Sequence, residues 1–150
     1  MDKWIPHVTV ASVIVKGSHY LLVEERDKQT GQLVFNQPAG HLERDESLIE
    51  CALRETLEET GWQISVTAVL GIALYTAPTN GVTYHRTTFL CEPIAEVSGH
   101  QLDPDIHTIH WMDYDEMHSN SARMRSPLVV GAIEQHRRGL CCPLDFIYGQ

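Results

Sequence analysis

Three glutamates stand at helical spacing in the segment RETLEET, at positions Glu55, Glu58 and Glu59. Residues three or four positions apart share one face of a helix, and like charges at that spacing repel by roughly 0.2–0.5 kcal/mol per pair. Negative charge in the last turns of a helix also opposes the helix dipole. Carboxylate oxygens are, however, the ligands that Mg²⁺ and Mn²⁺ prefer. The cluster therefore predicts a divalent-metal site, with a solvated acidic surface as the alternative.

The glutamates need a helix to hold them, and the flanking residues predict one. Ser47 is a favourable N-cap residue, and Glu50 completes a capping box three positions later. Gly61 stands where a residue in the left-handed conformation commonly ends a helix. We therefore expect a helix over residues 48–60.

The same segment carries a longer pattern, G-x5-E-x7-R-E-x-x-E-E-x-G. This pattern resembles the Nudix box of the Nudix hydrolase superfamily. Thr56 and Trp62 stand where that superfamily usually has aliphatic residues, and both are interpreted as packing positions. The matching positions are Gly40, Glu46, Arg54, Glu55, Glu58, Glu59 and Gly61.

The resemblance implies a metal-dependent enzyme that hydrolyses phosphoanhydride bonds. It implies Mg²⁺, with Mn²⁺ as an alternative, held by Glu55, Glu58 and Glu59. The backbone carbonyl of Gly40 is expected to add a further oxygen ligand. Such metals neutralise the charge of a diphosphate and activate a water molecule as the nucleophile.

The remaining catalytic roles are expected within the box and just outside it. In the superfamily, the residues matching Arg54 and Glu46 usually hold the loop and the ligands in place. The general base comes either from the box, where Glu55 is the candidate, or from a loop outside it. Asp105 is the best outside candidate, ahead of Asp103, and an ordinary loop carboxylate is the alternative. The predicted catalytic residues are thus Glu55, Glu58, Arg54 and Asp105.

Substrate contacts must come from outside the box. Arg86 is a single arginine among β-forming residues in TYHRTTF, where it could reach a phosphate or point to solvent. Asn36 and Gln37 adjoin the box and could bond a phosphate or a base. These three residues are the predicted substrate-binding residues.

Three further segments resemble one branch of the superfamily, the phosphatase NudJ group. They are HVTVASVIV near the start, FNQPAGHLE entering the box and RSPLV before the last helix, and the likeness covers residues 6–145. This resemblance implies Mg²⁺-dependent release of orthophosphate from nucleoside tri- and diphosphates, thiamine diphosphate and hydroxymethylpyrimidine diphosphate.

Three alternatives remain open. Two are other substrate classes of the superfamily, a house-cleaning nucleoside triphosphate pyrophosphatase and an ADP-ribose pyrophosphatase. Pro78, sixteen residues beyond the box, lies near where ADP-ribose enzymes carry a proline, although it also suits a turn before Asn80-Gly81. The third is a Nudix-fold binding module without catalysis, which the complete set of box glutamates disfavours.

Composition limits the class of protein and its partners. With 150 residues, 43% hydrophobic and 21% charged, the chain is expected to form one domain, residues 1–150, of a cytoplasmic globular protein. A net charge of -9 argues against a nucleic-acid polymer as partner. No apolar run approaches the roughly 18 residues of a membrane span. We expect a monomer or homodimer that acts on small diphosphates and triphosphates.

Strand-like segments surround the predicted helix. They cover residues 7–15, 19–24, 64–76, 83–93 and 106–112, with an Asn-Gly hairpin signal at 80–81. Capping residues predict two more helices, near 114–118 and after Ser126-Pro127. This order predicts an α/β or α+β sandwich. The resemblance makes the prediction specific: a Nudix fold with a mixed β-sheet between helices.

Overall fold

The computed structural model of the chain describes residues 2–150. In this range the chain forms seven strands, three α-helices and two short 3₁₀ turns. In chain order the elements are β1 (His7–Lys16), β2 (His19–Arg26), β3 (Leu33–Asn36), β4 (Ala39–His41), α1 (Leu48–Thr60), β5 (Trp62–Thr76), β6 (Thr83–Glu96), β7 (Ile106–Asp113), α2 (Tyr114–Ser119) and α3 (Pro127–Arg137), with the 3₁₀ turns at Ser121–Arg123 and Leu144–Phe146.

The strands form a mixed sheet centred on β1. The order across the sheet is β3-β2-β1-β6-β5, while β4 pairs with β1 and β7 pairs with β2. Strands β1 and β6 run parallel, and the other strand pairs are antiparallel. The predicted mixed sheet is therefore confirmed.

Helices cover both faces of the sheet, as predicted. One apolar cluster joins Val10 and Phe89 of the sheet to Cys51 and Ala52 of α1. A second cluster joins Leu22 and other strand residues to Val129 and Ile133 of α3. The two helices thus bury their apolar faces against opposite sides of β1, because successive residues of a strand point to opposite faces.

Helix α1 has the predicted bounds and caps. The Ser47 hydroxyl accepts a hydrogen bond from the Glu50 N–H, and the Glu50 carboxylate accepts one from the Ser47 N–H. Gly61 ends the helix at φ 75°, in the left-handed region that glycine adopts without a steric cost. Local sequence signals therefore determine both ends of the helix that carries the glutamates.

Other elements differ from the sequence-based expectation. The segment between β2 and α1, for which the sequence predicted no strand, contains the short strands β3 and β4. Both are three or four residues long, so their pairing depends on neighbours distant in sequence rather than on a local pattern. The β5–β6 register shifts between Val69 and Gly71. None of the helices within residues 2–150 combines the length and apolar character that a membrane crossing requires.

Candidate active site

The carboxylate of Glu55 lies against strand β4, where Gly40 leaves room for it. A Cβ added to Gly40 would lie well inside 3.0 Å of the Glu55 carboxylate, closer than real Cβ atoms approach. The first glycine of the box is therefore required by the close approach of a metal-ligand candidate and not by an unusual φ angle.

Glu59 is buried beside the same strand. Its side chain accepts a hydrogen bond from the Ala39 N–H at 2.8 Å, and the residue is 7% exposed. Burial raises the pKa of Glu59 to about 9, against the opposing effect of the Ala39 hydrogen bond. The nearby charges of Glu25, Glu55 and Asp103 raise it further. A bound cation would relieve this unfavourable burial of negative charge.

Strand alternation determines which backbone groups of β4 face the glutamates. Gly40 stands opposite Val10, and hydrogen bonds to β1 occur two residues to either side of this pair. The N–H and C=O of Gly40 are therefore directed toward β1, and those of Ala39 and His41 toward α1. Consistently, Ala39 donates to Glu59, and the His41 carbonyl accepts from α1. The carbonyl on the glutamate side is that of Ala39, one residue before the predicted Gly40.

Arg54 connects the box residues to one another. Its Nε and Nη2 contact the two carboxylate oxygens of Glu46 at 2.6 and 2.9 Å, and Nη1 contacts Glu55 at 2.7 Å and Glu58 at 3.3 Å. Nη2 also donates to the His41 carbonyl at 3.2 Å. The hydrogen bonds from Arg54 lower the pKa of Glu46 to about 2. Arg54 thus ties α1 to the box loop and to β4.

The acidic candidates outside the box occupy different surroundings. The Asp103 N–H donates to the Glu58 carbonyl at 3.3 Å, and the Asp103 charge contributes to the raised pKa of Glu55, whose main cause is burial. The Asp105 carboxylate pairs at the surface with Lys28, at 3.2 Å, with more than half of its side chain exposed. The structure therefore places Asp103, which the sequence analysis ranked below Asp105 as a candidate base, close to the glutamates.

Arg86 is buried, not solvent-facing. It is 7% exposed, and its Nη2 donates to the Gln37 amide oxygen at 2.6 Å, while Nη1 lies 3.5 Å from the Asn36 amide oxygen. Its Nε has no hydrogen-bond partner, and within the described residues Arg86 makes no salt bridge. Burial lowers the pKa of Arg86 to about 10, so the group remains charged at neutral pH. The three predicted substrate-binding residues thus form one cluster around a buried cation.

Comparison with known proteins identifies the family of the chain. The family model described as NUDIX domain matches residues 5–129. The chain belongs to the NUDIX family. It is 37% identical over 144 residues to Phosphatase NudJ of Escherichia coli strain K12, covering 95% of this chain and 90% of that protein. Phosphatase NudJ of Shigella flexneri is equally similar, with the same identity and coverage.

Solved structures also resemble this chain. A NUDIX hydrolase from Nitrosomonas europaea has a TM-score of 0.93 and 40% identity, covering 97% of this chain and 98% of that chain. A UDP-X diphosphatase shares the fold alone, at a TM-score of 0.72 and 20% identity, covering 93% of this chain and 66% of that chain. The Nudix fold is therefore confirmed, and the chain is a NUDIX hydrolase of the NudJ type, a phosphatase.

Sequence reasoning missed one residue near this site, Glu25. The Glu25 carboxylate accepts hydrogen bonds from Asn36 at 3.3 Å and from Arg125 at 3.1 Å. Burial raises the pKa of Glu25, and its charge acts on both Arg86 and Glu59. The available signal was the pair Glu24 and Glu25, which directly follows the apolar residues of β2, because a carboxylate beside a buried strand requires a partner.

The residues around the box fit a hard divalent cation. Glu55, Glu58 and Glu59 offer carboxylate oxygens, the Ala39 carbonyl faces the same side, and Gly40 provides the space. Within the described residues, the one group of three whose possible ligand atoms lie within 4.8 Å of one another is His19, Asp113 and Glu116, at the surface at the opposite end of β2 from Glu25. There Asp113 already caps α2 through the Glu116 N–H at 2.8 Å. The box, and not this group, combines burial with acidic residues and an adjacent buried arginine.

Proposed function

We propose that the protein is a Mg²⁺-dependent phosphatase that releases orthophosphate from small phosphoanhydrides. The candidate substrates are nucleoside tri- and diphosphates, thiamine diphosphate and hydroxymethylpyrimidine diphosphate, which the likeness to the NudJ group supports. The observation that carries the proposal is the pairing of a carboxylate cluster on α1 with the buried, ion-pair-free cation of Arg86. One diphosphate bound between the metal ion and Arg86 would explain both the carboxylate cluster and the buried cation.

In this proposal Glu55, Glu58 and Glu59 hold the metal, with Mn²⁺ as an alternative to Mg²⁺. The orientation of β4 favours the Ala39 carbonyl over that of Gly40 as the backbone ligand. When bound, the metal supplies charge neutralisation of the diphosphate and a lowered pKa for a water molecule. The residues of α1 and β4 hold the metal ligands in position.

Arg54 acts as a positioning residue. It holds Glu55 and Glu58 through Nη1, while its two contacts with Glu46 keep the guanidinium from rotating. Because Arg54 also bonds the His41 carbonyl, the helix and the backbone ligand of β4 move together. Its role is thus to preserve the geometry of the ligands.

The general base is proposed within the box. Glu55 lies against Gly40, and its pKa is raised by burial, which suits a group that accepts a proton. Asp105 remains the candidate from outside the box, and it would have to leave its exposed contact with Lys28. Asp103 is a third candidate, because its charge already acts on Glu55. Because Glu55 is also a proposed metal ligand, its loss should change both the pH profile of turnover and the Mg²⁺ dependence, whereas loss of Asp103 or Asp105 as the base should change the pH profile alone.

Arg86 is proposed to bind a phosphate group of the substrate. Gln37 orients the guanidinium from one side while its own amide donates to the Val129 carbonyl at 2.7 Å, and Asn36 contacts the guanidinium from the other side. The unpartnered Nε and the lack of an ion pair leave Arg86 able to take a charged ligand. A guanidinium can bind phosphate through two parallel hydrogen bonds, which fixes the orientation of the anhydride.

The protein is further proposed to act in the cytoplasm, as a monomer or homodimer, on small molecules and not on nucleic-acid polymers. Its charge of -9 supports the last point. A nucleoside triphosphate pyrophosphatase and an ADP-ribose pyrophosphatase are the rival activities. Pro78, the residue that suggested the second rival, is the first residue of the turn between β5 and β6, so it carries little weight.

A product assay distinguishes these activities. Purified protein with Mg²⁺ is incubated separately with dGTP, GDP, ADP-ribose, thiamine diphosphate and hydroxymethylpyrimidine diphosphate. Orthophosphate is measured with and without added inorganic pyrophosphatase. We expect orthophosphate without the added enzyme, including from diphosphates. Orthophosphate that depends on the added enzyme, or AMP from ADP-ribose, would instead support a pyrophosphatase.

The site is tested with the Glu58→Gln variant. It should lose turnover by about 100-fold or more, because a ligand is lost, while keeping the fold. Glu96→Gln, at the exposed end of β6, makes the same chemical change away from the site and should remain active. Full activity of Glu58→Gln would overturn the assignment of the metal ligands and support a different site.

A further inference from the structure

Glu25 lies beside the candidate active site, although it belongs to none of the box positions. Its side chain is 14% exposed, and one of its oxygens contacts two neighbours. Oε1 accepts a hydrogen bond from the Arg125 Nη1 at 3.1 Å and another from the Asn36 Nδ2 at 3.3 Å. The carboxylate therefore connects Arg125, which directly precedes the N-cap of α3, with Asn36, the last residue of β3.

The shared oxygen determines which way the Asn36 amide points. A guanidinium can only donate hydrogen bonds, so the Glu25 oxygen that contacts Arg125 is an acceptor. Asn36 therefore presents its NH₂ group to that oxygen and directs its own oxygen the other way, to within 3.5 Å of the Arg86 Nη1. A flipped Asn36 would place two acceptors together at Glu25 and two donors together at Arg86.

A second amide holds the same guanidinium. Gln37 donates through Nε2 to the Val129 carbonyl at 2.7 Å, and its Oε1 accepts from the Arg86 Nη2 at 2.6 Å. The acceptor that orients Gln37 is thus a backbone carbonyl of α3, whereas the acceptor that orients Asn36 is a side chain. Two amides, each oriented by an acceptor behind it, hold the one buried guanidinium.

We propose that Glu25 is a positioning residue that acts through Asn36 on Arg86. By accepting from the Asn36 amide, it keeps an oxygen directed at the guanidinium and holds the guanidinium in one orientation. Its charge alone would have the opposite effect on substrate binding, because a carboxylate near Arg86 competes with a phosphate for the cation. The inference rests on the proposed function for the phosphate contact of Arg86, and it adds a residue that prepares Arg86 for that contact.

Two substitutions of Glu25 separate its acceptor oxygen from its charge. Glu25→Met removes the acceptor and the charge, whereas Glu25→Gln removes the charge and keeps an amide oxygen that can take the place of Oε1. Both new side chains have nearly the length of glutamate, and thermal unfolding checks that each variant is folded. KM and kcat are measured with GDP through the release of orthophosphate.

We expect Glu25→Met to raise KM by about tenfold with little change in kcat, which is the scale of one hydrogen bond to a charged group. KM of Glu25→Gln should stay at or below the wild-type value, because the acceptor is kept and the competing charge is gone. An equal rise of KM in both variants, or a lower KM in Glu25→Met, would overturn the proposal.

A double-mutant cycle tests whether Glu25 acts through Asn36. The Asn36→Ala background has no amide to orient, so Glu25→Met should no longer raise KM there. A rise as large as in the wild-type background would mean that Glu25 acts by another route, such as its contact with Arg125, and would overturn the proposal.

NMR of the arginine side chains needs no turnover and separates failure of this proposal from failure of the proposed function. In protein labelled with ¹⁵N-arginine, the Arg86 signals are identified by their absence in Arg86→Met. We expect slow rotation of the Arg86 Nη groups in the wild type and in Glu25→Gln, and faster rotation in Glu25→Met and in Asn36→Ala. Equal rotation rates in the wild type and Asn36→Ala, or in the wild type and a folded Glu25→Met, would overturn the positioning role.

Failure of the proposed function has a different signature. In that case the wild type releases no orthophosphate from GDP, or KM stays unchanged although the Arg86 guanidinium rotates faster in Glu25→Met. The rotation rates still decide whether Glu25 holds Arg86 in place.

Discussion

The Cα of Gly40 lies directly against the carboxylate of Glu55, with no room for a side chain between strand β4 and helix α1. The atoms that a Cβ would meet are all at the far end of the Glu55 side chain and not in the backbone. A larger residue at position 40 therefore displaces the carboxylate while the fold accommodates it.

Gly40→Ala should separate stability from activity. We expect the free energy of unfolding to stay within about 1 kcal/mol of the wild type, because glycine in a strand is itself unfavourable. Activity should fall by about 100-fold, since a misplaced group in an active site has effects of that size. Urea unfolding and steady-state kinetics measure the two quantities. Glu55→Gln is the comparison: both variants should need more Mg²⁺ for half-maximal activity, and normal Mg²⁺ dependence in Gly40→Ala would contradict the displacement.

The raised pKa of Glu59 predicts how stability without metal depends on pH. Because the folded-state pKa is about 9 and the ordinary value is 4.5, the folded state binds the proton more tightly. The contribution of Glu59 to the free energy of unfolding is therefore greatest below pH 4.5. It falls as pH rises toward about 9, by at most about 1.4 kcal/mol per pH unit. Thermal unfolding in EDTA between pH 5 and 9 should show this decline.

Two comparisons check the origin of that decline. Glu59→Gln should flatten it, because the amide cannot ionise, whereas Glu96→Gln should not. Mg²⁺ should stabilise the wild type more strongly as pH rises, since it binds the ionised carboxylate. An identical slope in the wild type and Glu59→Gln would contradict the assignment.

Arg86→Met should leave the protein folded and remove most of its activity. Among residues 2–150 the buried guanidinium makes no salt bridge, so replacing it with an apolar side chain of similar length relieves the cost of burying a charge. Gln37 loses a partner in exchange, and the free energy of unfolding should change by less than about 2 kcal/mol. Loss of a phosphate contact should lower kcat/KM by about 100-fold. Urea unfolding and kinetics measure both effects, and near-normal kcat/KM would exclude a phosphate contact.

Glu46→Gln should change stability at acidic pH. The Arg54 hydrogen bonds hold the pKa of Glu46 at about 2 in the folded protein, below the ordinary 4.5. Its contribution to stability is therefore complete above pH 4.5 and is lost as pH falls from 4.5 toward 2. Thermal unfolding over this range should show a shallower acid decline in Glu46→Gln, with a lower stability at pH 7. The exposed control Glu96→Gln should keep the slope of the wild type.

Local sequence patterns were sufficient to predict α1, the helix that carries the three glutamates. Ser47, Glu50 and Gly61 determine where α1 begins and ends, because capping hydrogen bonds involve residues only a few positions apart. The helical spacing of the three glutamates then follows from 3.6 residues per turn. The motif, and with it the NUDIX family, could be recognised for the same reason: its spacing depends on one loop and one helix.

Long-range pairing was not predictable from such patterns. The short strand β4 pairs with β1, which is distant in sequence, and that pairing directs the backbone carbonyl of Ala39, and not that of Gly40, toward the glutamates. Likewise, the strand sequence left open whether Arg86 faces solvent. Its burial depends on Gln37, 49 positions away, and on α3, whose Val129 carbonyl holds that glutamine.

The sequence by itself determined the capped helix, the cluster of carboxylates and the family, because each depends on neighbouring residues, and the mixed sheet between helices followed from the resemblance to that family. Only the tertiary structure decided which backbone carbonyl faces the glutamates, and that Arg86 is buried where the charges of Glu25 and Glu59 act on it. Those features arise where strands and helices distant in the chain pack together. Burial determines the pKa values and the close contacts of these residues, and a local sequence pattern does not reveal which residues are buried.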